Sequence, residues 1–196
     1  MLIIETPTGV LVRSVPMASP LSAATGGTAA EGATHDAAAL WGLPDFVYAA
    51  AVVRVGSGSR EVGDRLLIVG DAGAVVQVKR RVGATADRAR ERQWVMKHSR
   101  AGLRQAHGTI RRLASGRVRM TNGRDRAIEV DGGAIHWIAV VVIDHPEPPD
   151  GATPIVEDEP NPSVVLLRRD WEFLFVQLKS TLGVIGYLRT RSRGID

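Results

Sequence analysis

Arg60-Glu-Val-Gly-Asp-Arg-Leu-Leu-Ile-Val-Gly-Asp-Ala-Gly-Ala-Val-Val-Gln-Val-Lys-Arg-Arg81 is the stretch that decides the fold. It holds two apolar runs, Asp64–Val69 and Ala74–Lys79, separated by Gly70-Asp-Ala-Gly73. Strands joined by a short loop rich in Gly and Asp form a hairpin. Side chains alternate between the two faces of a strand, so Gln77 and Lys79 share one face while Val76 and Val78 share the other. The hairpin also brings Asp64 beside the end of the second strand. A carboxylate, an amide oxygen and an ammonium then converge at one end of a largely apolar sheet.

Outward from the hairpin, the pattern alternates between strands and helices. Upstream lie a short helix near Asp36–Leu43, an apolar strand over Phe46–Val55 and a turn at Gly56-Ser-Gly-Ser59. Downstream, a long helical stretch covers about Ala86–Ser115, a hairpin turns around Thr121-Asn-Gly-Arg124, and Ile135–Ile143 is an apolar strand. Residues Pro16–Thr34 are mostly Ala, Gly, Ser, Thr and Pro and read as a flexible segment after a short initial strand. Asp144–Pro162 interleaves six prolines with Asp150, Glu157, Asp158 and Glu159 and reads as an exposed acidic linker. Past it come a strand, Val164–Leu167, and a helix from about Asp170 to Arg189, which Asp170 is placed to cap. Trp171, Leu174, Leu178, Ile185 and Leu188 form that helix's apolar stripe. The expectation is an α/β protein in four parts: a strand and flexible segment over 1–35, an α/β core over 36–143, a linker over 144–163 and a C-terminal strand and amphipathic helix over 164–196.

The absence of cysteine from all 196 residues excludes a disulfide framework, a thiolate metal site and a thiol nucleophile. No apolar run approaches the roughly 20 residues a membrane-spanning helix needs, and Met1-Leu-Ile-Ile-Glu5 lacks a basic export n-region, so the chain reads as cytoplasmic. Five histidines, at 35, 98, 107, 136 and 145, show no ligand spacing and read as structural or surface groups. A dinucleotide-binding turn, a phosphate loop and a serine-hydrolase elbow are all missing from the sequence.

The net charge is +4, and of the 25 basic side chains only Lys79, Lys97 and Lys179 are lysine. The other 22 are arginine, whose planar fork suits phosphate. Thirteen basic residues fall between Lys79 and Arg119 against two acids, Asp87 and Glu91. Within the long helix, Met96, Leu103, Ala106, Ile110 and Leu113 mark an apolar stripe. Arg90, Lys97, Arg104 and Arg111 recur every seventh residue on another face, about 10.5 Å apart at 1.5 Å per residue. Such a row can follow a phosphate backbone, with Arg80 and Arg81 at its start. A solvated basic face is the plainer alternative. Gly102 and Gly108 weaken the helix and leave room for a kink, Trp94 reads as a packing residue, and Gln105 could touch nucleic acid.

The hairpin residues suit metal-assisted phosphodiester cleavage, because a hard divalent ion takes oxygen ligands. Asp64 would be the charged ligand and the Gln77 side chain or Val78 carbonyl a neutral one. Glu61 would be an additional ligand, and Lys79 would orient the attacking water and offset phosphate charge. On spacing alone, Gln77 and Lys79 equally fit the solvated face of an amphipathic strand, with Asp64 in a turn.

With Asp64 as the aspartate and Gln77-Val-Lys79 as the final motif, the stretch resembles the active-site hairpin of the restriction-endonuclease-like, or PD-(D/E)XK, nuclease superfamily. It is most similar to the Gln-X-Lys branch of Mrr-type nucleases, and Glu61-Val-Gly-Asp64 is similar to the nuclease-related-domain pattern. Over about Asp36–Ser115, the resemblance implies a mixed central sheet flanked by helices, in the order helix, three strands, helix, strand. It further implies a DNA-acting, Mg²⁺- or Mn²⁺-dependent phosphodiesterase. Gln77 removes a charge from such a site, and the acidic residue many members place on the first helix has only Glu31 and Asp36 as candidates here. An inactive nucleic-acid-binding or assembly module is therefore the alternative. The segment Arg168–Phe175 with Leu178-Lys-Ser-Thr181 is similar to a motif of proteins from high-GC bacteria that brings no assigned activity. Trp171, Phe173, Phe175 and Tyr187 leave a homodimer or protein partner through the last helix open.

Overall fold

The computed structural model describes residues 2–6, 9–13, 44–50, 53–55, 58–60, 65–122, 126–150, 156–157 and 161–192. The segment 16–34, the helix expected over 36–43, the acids at 31, 36, 61 and 64, and Asp158 and Glu159 of the Pro-rich stretch lie outside them. The described strands are β1 (Leu2–Thr6), β2 (Gly9–Arg13), β3 (Val47–Ala50), β4 (Val53–Val55), β5 (Gly58–Arg60), β6 (Arg65–Val69), β7 (Ala72–Arg80), β8 (Arg117–Asn122), β9 (Ala127–Asp131), β10 (His136–Asp144), β11 (Val156–Glu157) and β12 (Ser163–Leu167). Three α-helices accompany them: α1 (Arg88–Leu113), α2 (Arg168–Leu178) and α3 (Thr181–Ser192).

The main sheet runs β11-β12-β10-β7-β6-β3-β8-β9, with the pairs β1-β2 and β4-β5 as separate two-stranded ladders. It is mixed: β10 is parallel to both β7 and β12, and every other pair is antiparallel. The chain thus makes three strands, β3, β6 and β7, each antiparallel to the one before it, crosses over through α1, and returns as β10 beside β7. That is the expected order of three strands, helix, strand, with the β8-β9 hairpin inserted after the helix and paired to the far side of β3.

The β6-β7 hairpin turns more tightly than its sequence suggests. Val69 pairs with Ala72, so the turn is only Gly70-Asp71, with Gly70 at φ 61°. A two-residue turn between twisted strands needs a residue that accepts positive φ, and glycine does so without a Cβ clash. Ala72 and Gly73 belong to the strand, and β7 extends through Arg80. The strand read over Phe46–Val55 is broken: Pro44–Phe46 is a 3-10 turn, and β3 and β4 pair in different ladders.

Two apolar layers enclose the sheet. On one face Val75, Leu66, Tyr48, Met120, Ala139 and Val141 meet Val95, Leu103, Ala106, Ile110 and Leu113 of α1. On the other, Ala74, Val76, Val78, Leu67, Val140, Val142 and Val164 meet Trp171, Leu174 and Phe175 of α2 and Val184, Ile185 and Leu188 of α3. The C-terminal strand and helices therefore supply a whole layer of the core. Full burial of both faces explains why β7 and β10 read as nearly continuous apolar runs.

Several helical expectations are corrected. The final helix is two helices, because Lys179 takes a left-handed conformation (φ 50°) that ends α2 and lets α3 begin at Thr181. Asp170 does not cap it; Leu167 holds the N-cap position with no side-chain bond, and Asp170 lies 3.7 Å from Arg169 in the first turn. Leu178 is 38% and Met96 50% exposed, so neither belongs to its expected stripe. In α1 the buried line runs instead through Glu91, Val95, Ser99, Gly102, Leu103, Ala106, Thr109, Ile110 and Leu113. Phe173 and Tyr187 face outward, whereas Trp171 and Phe175 fill the core, ring to ring at 4.9 Å.

Helix α1 is uninterrupted, capped by Asp87, whose side chain accepts from the amides of Ala89 and Arg90. Gly102 marks a close approach, not a kink: a Cβ there would lie 2.8 and 2.9 Å from the Val141 methyls. Gly108, by contrast, has only the tip of Arg111 near it, at 3.8 Å. Gly102→Ala is expected to destabilise the protein by about 1–3 kcal/mol, because overpacking at the helix–sheet contact outweighs the propensity gain. Gly108→Ala should stabilise it by about 0.5–1 kcal/mol. Urea denaturation midpoints check both, and similar values for the two variants would show that α1 does not rest on Val141.

Candidate nucleic-acid interface

The face of β7 that carries Gln77 and Lys79 lies beneath α1. Gln77 is 4% exposed and stands beside Val141 in the parallel register with β10, so it is not on a solvated strand face. Lys79 is partly exposed, and its ammonium donates to Gln105 Oε1 on α1 at 2.5 Å. Val78 points into the opposite core. Arg65, the first described residue of β6, pairs with Val76. Asp64 and Glu61 lie outside the described residues, and among those described no group of three or more His, Asp or Glu side chains could hold a metal ion.

Beyond Lys79, strand alternation sends Arg80 and Arg81 to opposite faces. Arg80 Nε lies 3.6 Å from Asp144, which also faces Arg168 at 3.4 Å. Arg81 turns toward α1 and grips Glu91 with two parallel hydrogen bonds of 2.9 Å. Glu91 also accepts from the amide and hydroxyl of Thr85, at 3.0 and 2.9 Å, and lies 2.9 Å from His145 Nε2. The Glu147 amide donates to His145 Nδ1, which leaves Nε2 as the nitrogen that donates to Glu91. One carboxylate thereby ties together the end of β7, the loop after it, the first turn of α1 and the residue after β10. His145, read as part of a solvated linker, is wholly buried.

The outer side of α1 has a different character. Its eight Lys and Arg residues, Arg88, Arg90, Arg92, Lys97, Arg100, Arg104, Arg111 and Arg112, are all exposed. Its only acid, Glu91, is buried, and none of the eight forms an ion pair with a carboxylate of the described residues. Arg90, Lys97, Arg104 and Arg111 therefore make an uncompensated row. Arg117 and Arg119 do not extend it. They alternate with Val118 and Met120, which pack on the α1 side, so the two arginines project from the other face of the sheet, where Arg117 meets Glu129 at 3.3 Å.

Beside the Lys79 end of the sheet, Trp94 and His98 stack with ring centroids 4.2 Å apart and planes 24° from parallel. The Arg81 guanidinium lies 5.5 Å from the Trp94 centroid, and the His145 ring meets its edge at 5.8 Å. Burial, and then the nearby charges of Lys97, Lys79 and Arg81, push His98 below the ordinary histidine pKa.

Sequence reasoning found the basic row, the hairpin and Lys79. It missed the Glu91 hub and the Trp94–His98 stack. Glu91 had a legible signal, since it lies four residues before Val95 and eight before Ser99, on the line of small and apolar residues that α1 buries. His145 had none, because its partner is 54 residues away.

Comparisons with family models, with curated proteins and with solved structures returned no match for this chain. Among the described residues, no helix is long and apolar enough to cross a membrane.

The Glu91 hub predicts an acid response. Arg81 first, and then the Thr85 and His145 hydrogen bonds, hold the Glu91 carboxyl well below the usual carboxylate range, against the opposing effect of burial. A depressed folded-state pKa contributes stability that is fully present above the unfolded carboxylate value and is lost as pH falls through the folded value. Glu91→Gln should lower the denaturation midpoint most above about pH 5. The gap from wild type should narrow steadily toward strongly acid pH. Melting curves across pH check this, and a gap that does not change with pH would remove the carboxylate's charge from the explanation.

Proposed function

We propose that this chain is a cytoplasmic, nucleic-acid-acting protein of the restriction-endonuclease-like kind, which lays a phosphate backbone, DNA in the first instance, along the outer side of α1. The observation that carries this reading is the sorting of charge on α1: eight exposed cations and one buried carboxylate that already has an arginine partner. Solvated amphipathic helices ordinarily balance their outer charges with pairs one turn apart, and this one has no acid left to do so. The connectivity β3, β6, β7, α1, β10 supports the fold assignment.

Phosphodiester cleavage is the finer reading, and the placement of Gln77 and Lys79 favours it. Both lie on the α1 side of the central strand, and Lys79 reaches the surface beside the helix that bears the basic row. The described residues provide a neutral oxygen and an ammonium, and the charged ligand would be Asp64, with Glu61 nearby. Mg²⁺ or Mn²⁺ held by Asp64, Gln77 and the Val78 carbonyl would polarise a phosphoryl oxygen and acidify a water. Lys79 would offset charge on the phosphate, with Gln105 fixing its direction. Binding without cleavage remains the second reading, since Gln77 contributes no charge to a cation.

The test combines binding and cleavage. Replacing Arg90, Lys97, Arg104 and Arg111 together with alanine is expected to weaken duplex binding and to lower the slope of log affinity against log salt by about 3 to 4. With Mg²⁺ or Mn²⁺, any wild-type cleavage should fall by about 100-fold or more in both Asp64→Ala and Lys79→Ala. Salt-dependent binding with no cleavage selects the non-catalytic reading, whereas cleavage that survives both substitutions removes the proposed site. An unchanged salt slope in the fourfold variant removes α1 from the interface.

A further inference from the structure

Resting on the nucleic-acid reading, we propose that the Trp94–His98 pair is a stacking platform for one unpaired base of a bound single strand, with Lys97 and Lys79 holding the flanking phosphates. The two residues are one helical turn apart, so their rings lie one above the other on the same strip of α1. Both are partly exposed, and they are already parallel enough to act as a single π surface. A third ring can add only where nothing covers the stack. The helical neighbours one turn beyond His98 are Ala101 and Gly102, the two smallest side chains available, and Gly102 is pressed against Val141. The long side chain that does approach this turn is Lys79, whose Cε lies 3.5 Å from where a Gly102 Cβ would stand and whose ammonium donates to Gln105. A base added to the stack would therefore meet the flexible stem of the same lysine that holds its phosphate.

The surroundings define the ligand. Two positive side chains, Lys97 and Lys79, flank the ring, which favours an anionic chain over a cationic one. Burial, and then the same cations, lower the imidazole's pKa, which favours the uncharged ring and so an aromatic face as what it offers. Arg81 is committed to Glu91 and lies over the Trp94 ring, 5.5 Å from its centroid. Each nucleobase has a π face, but in a duplex both faces are covered by neighbouring base pairs. A platform of this kind therefore selects single-stranded or locally opened nucleic acid.

The experiment compares a labelled oligothymidylate with a duplex of equal length on full-length protein, using His98→Leu and His98→Phe. Leucine keeps the bulk but removes the π face, and phenylalanine restores it. His98→Leu is expected to weaken single-strand binding by about 5- to 150-fold while leaving duplex binding within about twofold, and His98→Phe to stay near wild type. Equal losses on both substrates, no loss on the single strand, or failure of phenylalanine to restore binding would overturn the platform. So would thymidine monophosphate competing as well as the oligonucleotide, which would make the site one for a free nucleotide. If duplex binding is salt-dependent but His98→Leu has no effect, this inference alone falls. If wild type binds neither substrate, the nucleic-acid reading falls with it.

Discussion

The parallel pairing of β7 with β10 is the constraint on which the rest of the molecule depends. It runs the full nine residues of each strand, from Ala72 beside His136 to Arg80 beside Asp144. Parallel neighbours require a crossover, and α1 is that crossover, so the helix must lie across the strands it connects. Both faces of the pair are consequently covered, one by α1 and the other by α2 and α3. Any polar group that β7 carries then has only its carboxyl end through which to reach water. This is why Gln77 is buried, Lys79 is half out, and Arg80 and Arg81 diverge to bind carboxylates on opposite sides. Chemistry at the carboxyl ends of such strands is where open α/β sheets commonly place a ligand.

Two contacts fix how α1 sits on this pair. Near its start, Glu91 gathers Arg81, Thr85 and His145 and pins the first turns to the strand ends. Midway, Gly102 allows the helix axis to approach Val141 closely. Between the two lies the segment that bears Trp94, His98 and Lys97. A buried ion pair is costly to desolvate, and its retention is explained where it fixes geometry that apolar contacts leave free to slide. Here it fixes the start of α1, and with it the angle at which a row of exposed cations leaves the mouth occupied by Lys79.

The fold was legible where local pattern and tertiary demand agree. The apolar runs of β6, β7 and β10 and the 26-residue helix α1 were visible because doubly buried strands and long amphipathic helices leave strong periodic signals. The break after Leu178 was not, because the apolar spacing of Trp171, Leu174, Ile185 and Leu188 continues across it as though one helix were present. Only the left-handed backbone at Lys179, a lysine where glycine would be expected, marks the break. Met96 fits the stripe by spacing yet points outward, since Val95 and Ser99 define the contact line one position away. In the candidate site, the exposed cations of α1 could be read directly from helix spacing, and Lys79 from its place at the end of β7, though not its bond to Gln105, 26 residues away. The Glu91 hub could not, because three of its members are brought together from the ends of separate elements.

The same logic separates the two sets of positive charge that the sequence presents as one run. From Lys79 to Arg119 the chain is strongly basic, but the fold divides that run by function. Arg80 and Arg81 neutralise carboxylates that hold elements together, and Arg117 and Arg119 project from the opposite sheet face. What remains on one surface is the α1 row Arg90, Lys97, Arg104 and Arg111. On the nucleic-acid reading, a phosphate ligand would lose the entropy of its own ordering on binding, but the backbone positions of the cations it would meet are already set at fixed intervals along one helix. The basic surface is thus narrower than composition implies and better organised, because the charge that does not belong to it has been consumed in building the support beneath it.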